Sequence, residues 1–193
     1  ACSSLKADHA RQIRLLKNLR QIPGVKKVFV ASGIRHDLLL ADKKHGAAYM
    51  RELVKHHISG QLKIAPEHTT PSVLACMGKP QSRALVQFKN LFEKMNAETG
   101  QKQFLTYYFI AAHPGCTEED MRELKTFASR ELHTTPQQVQ IFTPLPSTTS
   151  ALLYWTGVDP ATGRKVYVEK ESGKKQRQKD IVTSDRKRSD KRR

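Results

Sequence analysis

Four short runs of aliphatic, β-branched and aromatic residues recur about 35 to 40 residues apart, with helical patterns between them. The runs are residues 25–30, 61–65, 103–112 and 139–142. Strands that alternate with helices are typical of βαβ units, in which helices cover a parallel sheet. The sequence therefore predicts an α/β fold with four parallel strands. Periodicity alone leaves open whether the strands form a barrel or an open sheet.

Apolar residues at helical spacing, with matching start and stop residues, predict the helices between these runs. The predicted helices cover residues 8–22, 47–58, 70–78, 82–100 and 117–132. The clearest signal is Thr117 followed three residues later by Asp120, which predicts a capping box at the start of the last helix. Residues 147–170 are less regular, and they suggest a helix at 150–154 and a short strand at 166–169.

The C-terminal end of the chain is strongly basic. The whole chain carries 34 Lys and Arg against 18 Asp and Glu, and residues 173–193 hold ten of these cations and three of the acids. Such a segment could neutralise phosphates of a nucleic acid, or it could be a disordered, solubilising extension. The segment contains no aromatic residue on which a base could stack, which favours the second interpretation.

Several function classes have no motif in this sequence. No run approaches the roughly 20 apolar residues of a membrane span, and the N-terminal residues lack the apolar core of a signal peptide. We therefore expect no membrane partner. The three cysteines cannot build a disulfide framework, so we expect a cytoplasmic protein. There is no P-loop, no G-x-S-x-G, no G-x-G-x-x-G and no His pair at metal-binding spacing, so no metal site is predicted within the chain.

Polar residues cluster directly after each predicted strand. These clusters are residues 32–37, 66–68, 113–116 and 143–144. In α/β sheets the carboxyl ends of the strands form the ligand-binding edge, so the four clusters together predict one shared site. The alternative is that they are ordinary caps and turns. Cys116 could be a thiol nucleophile, but a single cysteine before a helix is more often a small buried residue.

The strand-end segments together resemble the C-terminal half of YgiQ-family radical SAM proteins. The segments are VKKVFVASGIRHDLLL, ELVKHHISGQLKIAPEHTTPSVLACMGKP, QFLTYYFIAAHPGCTEEDM and QVQIFTPLPSTTSALLYWTGVDP. The resemblance implies the later β/α units of a radical SAM-type partial TIM-like barrel over residues 1–146. A family-specific extension at 147–172 and a disordered basic tail at 173–193 would follow.

The resemblance also implies two cofactors, S-adenosylmethionine and a 4Fe-4S cluster, and an enzyme that generates an adenosyl radical for an unknown substrate. The residues expected to contact the cofactor are Arg35, Lys63, Glu67, His68, His113 and Gly115. Arg35 and its neighbour Asp37 could position either cofactor or substrate. The apolar strand end at residues 110–115 would allow close approach of the adenine.

The sequence departs from the family pattern in one respect. The cluster-binding C-x-x-x-C-x-x-C is absent, and Cys2, Cys76 and Cys116 lack the spacing to replace it. Since the chain also starts without Met, we expect it to be the C-terminal part of a longer protein whose N-terminal part is its partner. The alternative is a separate basic α/β module that binds RNA, with the tail as a possible contact.

Overall fold

The computed structural model describes residues 4–184, which fold as two compact units. Unit one takes the described residues of Ala1–Ala65 and Arg83–Tyr107, and unit two takes those of Pro66–Ser82 and Tyr108–Arg193. In chain order the elements are α1 (Ala10–Gln21), α2 (His36–Ala41), α3 (Gly46–His56), β1 (Gln61–Glu67), α4 (Pro71–Cys76), α5 (Ser82–Thr99), β2 (Phe104–Ala111), α6 (Glu118–Glu131), β3 (Gln138–Ile141), α7 (Thr149–Thr156) and α8 (Ser172–Thr183).

The strands form one sheet in the order β1-β2-β3, and β1 and β2 each contribute to both units. β2 and β3 pair in parallel, with Tyr108 opposite Gln138 and Ala111 opposite Ile141. A mixed α/β fold with a small parallel sheet is therefore confirmed. The described strands do not close into a barrel, so the partial TIM-like barrel stays a prediction.

Each unit has an apolar core built from the predicted helix faces and strands. In unit one the buried side chains include Leu39, Met50, Leu53, Val54, Leu62, Phe88 and Phe92. In unit two they include Leu74, Phe109, Met121, Leu124, Ala128, Val139 and Val182. Within residues 4–184, no helix is both long enough and apolar enough to cross a membrane.

The capping box predicted before α6 is confirmed. The Thr117 hydroxyl accepts a hydrogen bond from the Asp120 backbone N–H at 3.3 Å, and the Asp120 carboxylate accepts one from the Thr117 N–H at 2.7 Å. Glu118, Glu119 and Asp120 add negative charge at the positive end of the helix dipole. The other predicted helices are found with ends close to those expected, but the short helix α2 is an addition within a stretch predicted to be polar loop.

The first predicted strand, at residues 25–30, was wrong. This segment belongs to no helix or strand. The Val30 N–H donates to the His57 carbonyl at 2.8 Å, and the Val28 carbonyl lies 2.7 Å from the His57 ring Nδ1. Val25 and Phe29 are exposed, so the apolar run does not reflect a strand covered on both faces. The strand suggested at 166–169 is also wrong, since these residues belong to no strand; an isolated bridge between Val158 and Lys165 directly precedes them.

The prediction of a disordered tail was wrong for residues 173–183. They form α8, which packs against α6 and β3 and buries Gln178 and Val182, one helical turn apart. The N–H of Ala112, at the end of β2, donates to the Gln178 side-chain oxygen at 2.9 Å, which fixes the helix in place. The predicted boundaries at 146 and 172 do not separate compact units, because both flanking segments lie in unit two. Residues 185–193 of the predicted tail lie outside the described residues.

Candidate functional site

β1 ends in a strained turn that presents Glu67. The His68 N–H bonds the Pro66 carbonyl at 2.9 Å, so the turn is a γ-turn centred on Glu67, whose φ is +67°. A positive φ at the centre of such a turn is rare and costly for a residue with a side chain. The Glu67 carboxylate is partly exposed and pairs with the Lys79 ammonium at 2.8 Å.

β2 also ends in left-handed backbone, because Ala112 has a φ of +56°. The next four residues, His113 to Cys116, form a β-turn closed by a 2.8 Å bond from the Cys116 N–H to the His113 carbonyl. Pro114 occupies the second position and Gly115, with φ +88°, the third, which is the pattern of a type II turn. A Cβ on Gly115 would lie 3.0 Å from the Cys76 sulfur, so a side chain is also disfavoured by packing.

His68 is buried and held as a neutral ring. Its Nδ1 accepts the Thr70 backbone N–H at 3.1 Å, which places the ring proton on Nε2, 3.5 Å from the Cys116 sulfur. Burial lowers the pKa of His68 to about 4, and the nearby His113 adds to the effect while Asp120 opposes it. The imidazolium form would lose the bond from Thr70, since both ring nitrogens would then be donors.

His113 is the second buried neutral histidine of unit two. Its Nδ1 donates to the Pro114 carbonyl at 2.8 Å, and its Nε2 lies 2.8 Å from the hydroxyl of Ser150 on α7. The ring also packs edge-on against Phe142, with centroids 4.8 Å apart. Burial lowers the pKa of His113, although the Pro114 carbonyl and Glu67 oppose the shift.

Cys116 links the two strand ends to α8. Its thiol donates to the Gln178 side-chain oxygen at 3.4 Å, and the Gln178 amide donates to the Cys116 carbonyl at 3.1 Å. Burial, together with the Asp120 charge, raises the pKa of the Cys116 thiol to about 12. A thiol with that pKa is protonated at neutral pH and is a poor nucleophile, in agreement with its interpretation as a buried structural residue.

Four of the six predicted cofactor residues lie at these two strand ends. We call Glu67, His68, His113, Gly115 and Cys116 the strand-end cluster. In it, His68 contacts Cys116, and Glu67 is the one of its four predicted residues with an accessible polar side chain. His68, His113 and Gly115 have internal partners, so their contact with a cofactor stays a prediction.

The other two predicted residues, Arg35 and Lys63, lie in unit one. The Arg35 guanidinium makes a two-point pair with Asp37, at 2.8 and 2.6 Å, which lowers the pKa of that carboxyl. Lys63 is exposed on β1, on the face opposite the buried Leu62 and Ile64. Their roles toward a cofactor stay predictions.

Sequence reasoning missed Ser150 and Gln178, which complete the polar contacts of the cluster. They lie 37 and 62 residues beyond the groups they bond, and neither belongs to a recognisable motif. Within residues 4–184, the His, Cys, Asp and Glu side chains form no group of three or more that could hold a metal ion.

The fold and the strand ends together define an α/β protein with a polar cluster at the carboxyl ends of parallel strands. No protein-family model matches the chain. It is similar to proteins named UPF0313: it is 58% identical over 186 residues to one from Fusobacterium nucleatum, 43% over 191 residues to one from Thermotoga maritima and 40% over 181 residues to one from Clostridium perfringens.

These matches cover 94% to 99% of this chain but only 27% to 33% of the relatives. The chain thus spans about a third or less of the length of the curated relatives it matches. UPF0313 is the YgiQ family, so the chain is similar to proteins of the family that its strand-end segments resemble. Their names state no function.

Proposed function

We propose that this chain is the C-terminal part of a radical SAM enzyme and that its strand-end cluster forms part of the S-adenosylmethionine site. Support comes from the similarity to YgiQ-family proteins. The relatives from Fusobacterium nucleatum and Thermotoga maritima are about three times as long as the segment that they share with this chain. Further support comes from the position of the cluster at the carboxyl edge of the sheet, where α/β proteins bind ligands.

The observation that carries the proposal is the backbone at the two strand ends. A non-glycine residue with positive φ lies at the end of each strand: Glu67, the last residue of β1, at +67°, and Ala112, directly after β2, at +56°. Each such residue costs of order 1–3 kcal/mol and persists only where the surroundings impose it, most often at binding sites. Two of them at adjacent strand ends favour a site over ordinary turns.

Glu67 is the residue of the cluster best suited to touch the cofactor. Its carboxylate is accessible, and it could accept hydrogen bonds from an ammonium or from ribose hydroxyls, both of which S-adenosylmethionine carries. In the structure the Lys79 ammonium pairs with the Glu67 carboxylate. When the ligand binds, Glu67 would give up this ion pair for a contact with the ligand. His68 and His113 act as positioning residues, since their bonds to Thr70, Pro114 and Ser150 hold both turns.

When bound together, S-adenosylmethionine and a reduced 4Fe-4S cluster supply an adenosyl radical by one-electron cleavage of a carbon–sulfur bond. The described residues do not fit the iron–sulfur cluster, because they lack the cysteine set that holds one. Under this proposal, the cluster ligands lie in the part of the longer protein that this chain does not cover.

The test uses a chimera in which this chain replaces the matching 186-residue segment of the Fusobacterium nucleatum relative. The chimera is reconstituted with iron and sulfide without oxygen, reduced, and supplied with S-adenosylmethionine. We expect 5′-deoxyadenosine to form, and the Glu67→Gln variant to need at least about 10-fold more S-adenosylmethionine for half its maximal rate, as expected for loss of one charge-assisted contact.

Two further variants separate binding from stability. Glu119→Gln removes an exposed carboxylate that is also paired with a cation, Arg122. This variant should need the same S-adenosylmethionine concentration for half its maximal rate as the unchanged chimera. Lys79→Met breaks the same ion pair as Glu67→Gln but keeps the carboxylate, so it should not weaken binding. Glu67 would have only a structural role if Glu67→Gln needed no more S-adenosylmethionine for half its maximal rate than the unchanged chimera. The same would follow if Lys79→Met raised that concentration as much as Glu67→Gln does.

A further inference from the structure

α7 carries an exposed apolar surface in unit two. Trp155, the single tryptophan of the chain, is 69% exposed, and Leu152, three residues earlier, is 46% exposed. Both line a cleft of about 560 Å³ that also includes Leu145 and the two prolines on either side of it. Large apolar side chains gathered on a surface in this way mark interaction sites.

Two lysines lie beside the aromatic rings of α7. The Lys170 ammonium lies 5.8 Å from the centroid of Tyr154 and 5.9 Å from that of Trp155. Lys175, on α8, donates to the Tyr154 hydroxyl at 2.8 Å and lies 4.8 Å from the same ring centroid. The N-terminal part of the basic helix therefore reaches the helix that carries the exposed indole.

The charge extends along the same stretch of chain. Residues 147–184 carry seven Lys and Arg against four Asp and Glu, and the sequence after Ser184 adds six more cations and two acids. Arg164, Lys165, Lys174 and Arg177 are exposed. Lys174 pairs with Glu171 at 2.9 Å, and the Arg177 guanidinium lies 3.7 Å from the Glu118 carboxylate.

We propose that this surface, formed by Leu145, Leu152, Trp155, Lys170 and Lys175, binds single-stranded nucleic acid. A base stacks on the Trp155 indole beside the cleft, and phosphates face Lys170 and the cations of α8. Single-strand binding requires two parts: an exposed aromatic ring on which a base stacks, and neighbouring cations that contact the phosphates.

Charge and shape favour this occupant over two others. An acidic peptide would use the cations but would leave the exposed indole and the cleft without a function. An uncharged apolar partner would fill the cleft but would have to desolvate Lys170 without pairing it. Single-stranded nucleic acid uses both the cations and the apolar surface. This inference does not depend on the proposed cofactor site.

The single tryptophan makes the test direct. Indole fluorescence of the full chain is followed while an unstructured RNA or DNA strand of about 12 nucleotides is added at about 50 mM salt. We expect both strands to quench the fluorescence, because both offer a base to stack, and any preference between them reports a contact to the 2′-hydroxyl. A duplex of equal length should quench far less, since its bases are already stacked.

Variants locate the site, with binding followed by the anisotropy of a labelled strand and folding followed by circular dichroism. Trp155→Leu should weaken binding by roughly 5- to 150-fold, the effect of losing one stacked base, and Trp155→Phe should retain most of the affinity. Lys170→Gln should weaken binding. It should also reduce the slope of log affinity against log salt concentration (the salt slope) by about 0.7, as expected for one lost phosphate contact. Lys94→Gln, an exposed cation of α5, is the matched control and should change neither.

Three results would overturn the proposal. One is equal binding by Trp155→Leu and the original chain, and another is equal quenching by polyglutamate. The third is loss of quenching when residues 185–193 are removed, because the basic segment alone would then account for binding. Retained quenching in that shortened chain, with a smaller salt slope, would support it.

Discussion

Protonation of His68 should destabilise the protein at mildly acidic pH. The folded pKa of His68 is about 4, below the ordinary value of 6.5, so the unfolded chain takes up this proton first. The stability that the neutral ring contributes is therefore complete above pH 6.5 and is lost as the pH falls from about 6.5 toward about 4. For one site with these two pKa values, linkage gives a loss of about 2 kcal/mol between pH 7.5 and pH 5.

The assay is urea unfolding at about pH 7.5 and about pH 5, compared between the original chain and His68→Gln. Glutamine can still accept the Thr70 N–H but does not titrate, so the loss between the two pH values should shrink by about 2 kcal/mol. His133→Asn is the control, since His133 is exposed and asparagine tolerates its positive φ.

The same pKa can be read directly from the histidine ring resonances. The His68 signal, assigned by its absence in His68→Gln, should keep the neutral shift down to about pH 5. The reasoning is refuted if this signal titrates near pH 6.5, or if His68→Gln leaves the pH dependence of unfolding unchanged.

Three further changes test the packing of unit one and the supports of the strand-end cluster. Gly46→Ala should destabilise the protein by about 1–3 kcal/mol in urea unfolding, because the new Cβ would lie 2.1 Å from the Leu39 carbonyl oxygen. Gly173→Ala, in an open helical position of α8, should instead stabilise it by up to about 1 kcal/mol, and equal effects of the two substitutions would contradict this account of their packing. Gln178→Ala should cost about 2–3 kcal/mol by the same measurement, since it leaves the Ala112 N–H and Cys116 carbonyl without partners, whereas the exposed Gln176→Ala should stay within about 0.5 kcal/mol. Thr117→Ala should lower the thermal midpoint in proportion to a loss of about 1 kcal/mol while Thr117→Ser keeps it, and no difference between them would mean that the cap contributes nothing.

The elements that sequence patterns predicted correctly are those whose signals are local. The Thr117–Asp120 box and the alternation of buried Leu62 and Ile64 with exposed Lys63 each follow from neighbouring residues alone. Residues 25–30 failed because an apolar run indicates burial only where other elements cover it, and Phe29 is left exposed.

α8 could not be predicted because its composition is that of a solvated segment. Only Gln178 and Val182 are buried in it, and one of them is polar. Gln178 is held by backbone groups 62 and 66 residues away, and no local pattern encodes such a contact. The missed helix also brings Lys175 to Tyr154, the neighbour of Trp155 on α7.

The place of the candidate site was predictable, but the state of its residues was not. The rule that ligands bind at the carboxyl ends of parallel strands selected Glu67, His68 and His113. Whether a histidine at such a position is exposed depends on distant partners, here Cys116 and Ser150. The structure therefore divides these three residues into one accessible carboxylate, Glu67, and two buried supports, His68 and His113.

Hydrogen–deuterium exchange of the chimera, with and without S-adenosylmethionine, tests the central claim most directly. Peptides that cover residues 66–70 and 111–117 should gain protection when the ligand is added, and a peptide from α1 should not. Protection confined to other parts of the chimera, with no change at these two strand ends, would contradict the proposed site.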